Sequence, residues 1–199
     1  MSKGIQTRHL ILSHAASRAS SLGLEALSIG QLATELGLSK SGLFGHFKSK
    51  EELQIQVLET ISEQFSQAVI RPALQLPRGP ERLRDLFERW LAWGLAPAGE
   101  RAGCPLMAAA MEFDDRPGPV RDCLITIQQR WIAVLEKTIL LGQQAGAFKP
   151  ELAPTALVQD LYGIVLSCHF YHRLIGDKAA ESRARKSFDD FLDLIQTAN

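Results

Sequence analysis

Cysteine is scarce in this chain, and a disulfide framework is excluded with it. Cys104, Cys123 and Cys168 are odd in number, widely spaced and never part of a CxxC pair. That usage fits a reducing, cytoplasmic setting and speaks against a structural zinc or other metal site. No stretch approaches the roughly 18 uncharged apolar residues that a membrane span needs. The polar start also lacks the apolar run of a secretory leader, so neither export nor membrane insertion is expected. β-alternation of useful length, internal repeats and low-complexity segments are missing. So are a glycine-rich phosphate loop and a GxSxG elbow, and no cofactor is implied.

Net charge is absent as well, because 22 basic residues meet 22 acidic ones. The zero hides an asymmetry. Residues 1–50 carry six basic against two acidic residues, a net of +4, while the remainder carries 16 against 20, a net of −4. A basic head on an acidic body is the distribution expected of a small nucleic-acid-binding unit joined to something else.

What is present is helical punctuation throughout, with 46% apolar residues to build a core. Ile11, Ala15, Ala19 and Leu22 keep helical spacing over residues 5–22, and Gly23 is the stop. Ser28 and Gln31 form a capping-box pattern at the start of a short second helix, and "SKSGLFGHF" is a third. Ser49 and Glu52 repeat the start signal for a fourth, with Leu53, Val57, Ile61 and Phe65 as its buried stripe and a break near Pro72. A loop containing Gly99 and Gly103, a long helix over 119–144, and two more over 151–175 and 178–197 complete the pattern. About nine helices are expected, and the class is all-α.

Residues 28–47 carry the functional signal. Ala33 stands four residues before Gly37, among Leu32, Leu36, Leu38 and Leu43. A helix-turn-helix needs this set, since a small residue lets two helices approach and a glycine can take the left-handed turn. The continuation into "LFGHFKSKEEL" narrows the reading. Residues 5–53 resemble the DNA-binding domain of the TetR family of bacterial transcriptional regulators. The family pattern IAxxAGVSKGTLYYHFKSKEEL is met here by "LATELGLSKSGLFGHFKSKEEL".

The resemblance implies an N-terminal three-helix DNA-binding domain, residues 1–50, joined to a larger helical domain for effector binding and dimerisation, residues 51–199. On the DNA side it points to Ser28, Gln31, Ser39, Lys40, Ser41, Gly42, Phe44, Gly45, His46 and Lys50. Ser39 would cap the third helix, whose first turn enters the major groove. Lys40 and Ser41 project from that turn toward base or phosphate. Gly42 and Gly45 would let the backbone approach the duplex. Phe44 replaces a family tyrosine whose hydroxyl meets phosphate, and either packs on sugar or a thymine methyl or is buried. His46 and Lys50 would meet the phosphate backbone. Gly30 and Ala19 depart from the bulkier residues common in the family, which leaves the operator sequence open.

For the rest of the chain the resemblance implies an effector pocket and an interface. Phe87, Trp90, Leu91, Met107, Met111 and Phe113, with Trp131, Leu135, Tyr162 and His169, are the aromatic or soft residues on the middle helices. Leu157, Leu161, Ile164, Val165 and Cys168 form one stripe; Ala184, Phe188, Phe191, Leu192 and Ile195 form another. Two such helices per subunit would make a four-helix bundle about a two-fold axis, or the stripes face the subunit's own core.

The expected function is a repressor that binds a palindromic operator as a homodimer and is released by a small, largely apolar effector. A ligand-dependent activator and a helical module without effector are the alternatives. Enzyme chemistry is not expected. Cys168 and His169 diverge by about 100° on a helix, and Glu112, Asp114 and Asp115 read as helix-capping acids rather than a metal site.

Overall fold

The computed structural model describes residues 3–96 and 103–197; the expected loop around Gly99 lies outside them. Four helices come first: α1 (Lys3–Leu22), α2 (Ile29–Glu35), α3 (Lys40–Phe44) and α4 (Lys50–Phe65). Five follow: α5 (Pro80–Gly94), α6 (Pro105–Phe113), α7 (Pro119–Gln144), α8 (Pro154–Phe170) and α9 (Ala180–Ile195). Among the described residues these nine helices are joined by turns and short helical extensions, α8 running on into a π segment over Tyr171–Ile175, with a single isolated bridge between Phe148 and Gln196.

Proline starts helices here more than it stops them. Pro80, Pro105, Pro119 and Pro154 each open a helix, at the position where a missing N–H costs nothing and a fixed φ helps. Pro72 is the exception to the expected break. α4 widens into a π turn over Ser66–Ile70 and then runs one more helical turn, Arg71–Ala73. The wider turn accommodates the proline ring, which would clash with the carbonyl four residues earlier in a regular helix.

The serines differ in what they cap. Ser39 and Ser49 accept from the amides of Gly42 and Glu52, each at 3.0 Å. Glu52 reaches back one residue further than a capping box requires, accepting from the Lys48 amide at 2.9 Å. Ser28 stands at the N-cap of α2 without any side-chain cap bond, and Gln31 donates to Glu35 at 3.0 Å instead. That corrects the expected capping box.

By contact the chain forms two compact units, residues 1–65 with 96–128, and residues 66–95 with 129–199. The division expected at residue 50 falls inside the first unit, because α4 packs on α1 and α6 packs on both. The first unit buries Ile11, Ala15, Leu27, Leu32, Leu43, Phe47, Leu53, Val57 and Leu58. Ala19, Leu24 and Leu27 are all buried, so the small residue at 19 sits in a filled interior. In the second unit Phe87 stacks on Phe188 at 4.0 Å between centroids, and Trp90 meets Trp131 and Tyr162 edge-on at 5.3 and 4.7 Å.

Candidate nucleic-acid interface

The turn between α2 and α3 is built by two backbone bonds. Leu38 N–H reaches Ala33 O at 2.9 Å and Gly37 N–H reaches Thr34 O at 3.2 Å, with Gly37 at φ +63°. This is a Schellman motif, and the left-handed residue at its centre is the reason for glycine. It turns the chain sharply into Ser39, whose hydroxyl closes the first turn of α3.

One face of α3 is then core and the other is open. Leu43 and Phe47 are buried, while Lys40, Ser41, Gly42, Phe44 and Gly45 are exposed and His46 is half-buried. Phe44 keeps 42% of its surface accessible, which removes the buried reading of that side chain. Among the described residues no hydrogen bond or ion pair holds the Lys40 ammonium. Its Cε lies 4.0 Å from where a Cβ on Gly30 would stand, an ordinary van der Waals contact, so alanine at position 30 would leave the lysine stem in place. Gly42 has an internal role besides access: a Cβ there would come within 2.9 Å of the Ser39 hydroxyl and disturb the cap.

Other expected DNA contacts are differently engaged. Ser28 and Gln31 are exposed, but the Gln31 amide is turned along α2 toward Glu35. Glu35 also takes His14 at 2.7 Å and Arg18 at 3.1 Å, a bracket between α1 and α2 that holds its carboxyl below the usual range, the His14 bond being the chief cause. Lys50 is tied to the α1–α2 turn, donating to Glu25 O at 2.5 Å and to Glu25 Oε1 at 2.9 Å. Sequence reasoning passes over Lys48, which is exposed beside α3 with its ammonium unpaired among the described residues. The basic run "FKSKEEL" is the signal for it.

The expected effector residues divide. Phe87, Trp90, Leu91, Trp131 and Leu135 are buried in the second unit, and Tyr162 and His169 are half-buried there. Burial pushes the His169 imidazole down, which keeps it neutral at pH 7. Met107 and Phe113 are buried in the first unit, and Met111 is 65% exposed. A groove of about 440 Å³ lies between α8 and α9, lined by Ser167, Tyr171, Arg183 and Ser187 together with Ile164, Cys168 and Ala184 of the expected interface.

The interface stripes themselves lie inside the chain. Leu157, Leu161, Val165, Cys168, Ala184, Phe188, Phe191, Leu192 and Ile195 are buried by the chain's own atoms, and Ile164 is half-buried. α8 and α9 pack on each other, and Phe188 stacks on Phe87 of α5. Of the two readings left open by periodicity, the subunit's own core is the one observed.

A helix-turn-helix with an open, lysine-tipped third helix, in an all-helical chain, fits many regulators. The family models narrow it. The model for bacterial regulatory proteins of the tetR family matches residues 11–57, and the one for the tetracyclin repressor-like C-terminal domain matches residues 79–188. The chain belongs to the TetR family. It is 24% identical over 181 residues to the HTH-type transcriptional repressor DhaR of Mycobacterium sp. (strain GP1), covering 87% of this chain and 82% of that one. Among solved structures, a TetR-family regulator from Cytophaga hutchinsonii matches with a TM-score of 0.85 at 22% identity, over 100% of this chain and 99% of the other. AibR, solved with isovaleryl coenzyme A and operator DNA, matches with a TM-score of 0.71 at 21% identity, over 94% and 96%. These likenesses show the TetR fold along essentially the whole chain. TetR proteins are transcriptional regulators, and family and fold alike stand apart from enzymes. Among the described residues no helix is long and apolar enough to cross a membrane, and no group of side chains is placed to hold a metal ion.

Proposed function

We propose that this TetR protein is a repressor that binds a palindromic operator as a homodimer and lets go when a small, largely apolar effector binds. The observation that carries the reading is the tip of α3. Lys40, Ser41 and Gly42 are open to water on the first turn, Lys40 has no internal partner among the described residues, and Leu43 and Phe47 anchor the helix behind them. A tip so presented offers long and short donors to base edges and phosphates of a major groove. The DhaR relative is named a repressor, and AibR is solved with isovaleryl coenzyme A and operator DNA, which supports a repressor with operator DNA and a small molecule as its partners here.

One tip covers one half-site. Two must stand about 34–36 Å apart to enter successive major grooves, so a dimer is required. Since the expected stripes are covered, the face offered to a second copy is the outward side of α8: Ala156, Asp160, Gly163, Ser167 and Phe170 share it at helical spacing and are exposed. Small residues there allow two helices to pack closely. For the effector, the cluster of Trp90, Trp131 and Tyr162 supplies an aromatic wall, and neutral His169 a hydrogen bond without charge. The effector acts by preferring a state in which the paired tips no longer match the groove spacing.

Selection of bound fragments from random duplex DNA tests the reading with the full-length protein. Enrichment of an inverted repeat is the expected result. Recovery of unrelated sequences, with equal affinity for all, would reduce the protein to a nonspecific DNA binder.

A further inference from the structure

The turn between α1 and α2 is gripped from two sides. Its amides point to α6: Leu24 N–H donates to Glu112 Oε2 at 2.8 Å and Glu25 N–H to Glu112 Oε1 at 3.1 Å. Its acceptors point to α4. Leu24 O takes the Gln54 side-chain amide at 3.1 Å, and Gln54, only 4% exposed, also reaches Glu25 Oε2 at 3.2 Å. Lys50 Nζ donates to Glu25 O and Glu25 Oε1. Arg116, just beyond α6, stands 3.8 Å from Glu25 Oε2. Gly23 fits this arrangement twice over, at φ +91° and with the site of its absent Cβ 2.8 Å from Glu112 Oε1.

Glu112 and Arg116 belong to the segment matched by the C-terminal family model, whereas Gly23, Glu25, Lys50 and Gln54 belong to the DNA-binding one. All of them lie in one compact unit. The turn is thus a place where the two family modules are hydrogen-bonded to each other.

We propose that Glu25 is an internal substitute for an operator phosphate: it occupies Lys50 in the free protein, and α6 sets its position through Glu112 and Arg116. Carboxylate and phosphate oxygens ask the same thing of an ammonium, a charge-assisted acceptor at hydrogen-bond distance. The Lys50–Glu25 pair is half exposed on both sides, so a phosphate can displace the carboxylate without uncovering a buried charge. Lys40 and Lys48 need no such exchange, because nothing among the described residues holds their ammonium groups. A shift of α6 that draws Glu25 toward Arg116 frees Lys50. A shift that presses it toward α4 withholds the lysine. Glu25 and Glu112 are positioning residues, then, and neither is assigned a contact with DNA. The inference rests on the DNA-binding reading above and assigns how Lys50 is made available to it.

The test uses the full-length protein with two duplexes of equal length, one obtained by selection and one unrelated. Glu25→Gln is expected to tighten binding to both by about threefold to fivefold at low salt, the scale of an exposed ion pair. The dependence on salt should steepen by up to about one counterion per subunit. Lys50→Ala should abolish that gain, so that Lys50→Ala and the Glu25→Gln, Lys50→Ala double variant bind alike. Glu112→Gln should change affinity only where Lys50 is present, and thermal melts establish that each variant is folded. If Glu25→Gln tightens binding equally in the Lys50→Ala background, the carboxylate acts as a general repulsive charge and the proposal is overturned. Unchanged affinity of Glu25→Gln overturns it as well. Failure of the unaltered protein to bind either duplex would instead remove the DNA-binding reading.

Discussion

At the scale of single residues, position in the turn decides what each side chain can do. Gly23 is legible as a helix stop, because glycine alone takes φ +91° at little cost. Its partner is not legible. Glu112 follows 88 residues after Leu24, and nothing in local pattern links a carboxylate on one helix to two amides so far away. Gly23→Ala should therefore cost more than backbone strain alone, which is at least about 1 kcal/mol, because the new methyl group also displaces Glu112. A denaturant titration of the folded chain checks this. An unchanged midpoint would show that the turn relaxes freely. Lys40 is the residue whose role the sequence marks best, and the open side of α3 supports it. Lys40→Ala should weaken binding to all duplexes and reduce the salt slope by about one for each phosphate left without its cation. Fluorescence anisotropy across a salt series measures both.

Elements are legible where a start signal is chemical and less so where it is statistical. Ser39 and Ser49 carry the cap pattern and are caps. Ser28 has the same pattern around it and its hydroxyl makes no cap bond; the reciprocal bond is missing as well, since the Gln31 side chain is drawn to a carboxylate already shared with His14 and Arg18. A start pattern in sequence is therefore not yet a cap. The consequence is sharpest for α3, which has only five residues. Ser39→Ala removes about 1 kcal/mol from its first turn, and the frayed tip should bind DNA more weakly while the thermal midpoint falls only slightly. Circular dichroism melts beside DNA titrations separate the two effects. Equal affinity with a lowered midpoint would assign Ser39 to stability alone. The stripes on α8 and α9 are also legible as buried faces. Periodicity reports that a face is covered and is silent about what covers it, and here the cover is the chain itself.

For the whole molecule the division of charge is visible in the sequence and the division of packing is not. Residues 1–50 carry the net +4, yet the compact unit that contains them also takes in residues 96–128 from far along the chain. The proposed dimer contact is the outward side of α8. Among the described residues a Cβ at Gly163 would meet no heavy atom within 4 Å apart from its chain neighbours and the helix's own backbone, so a larger residue has room in the single subunit and none in a tightly packed pair. Gly163→Leu should leave the subunit folded, since leucine is the better helix former by nearly 1 kcal/mol, and should dissociate the dimer in sedimentation. A dimer that persists would place the two-fold contact elsewhere.

In the proposed complex the first turn of α3 enters a major groove. Methylation interference on a selected duplex tests it most directly, because dimethyl sulfate marks guanine N7 in the major groove and adenine N3 in the minor one. Interference at guanine N7 in both half-sites, about one helical turn apart, is the predicted result. Interference confined to adenine N3, or none at all, would mean that α3 does not enter the major groove.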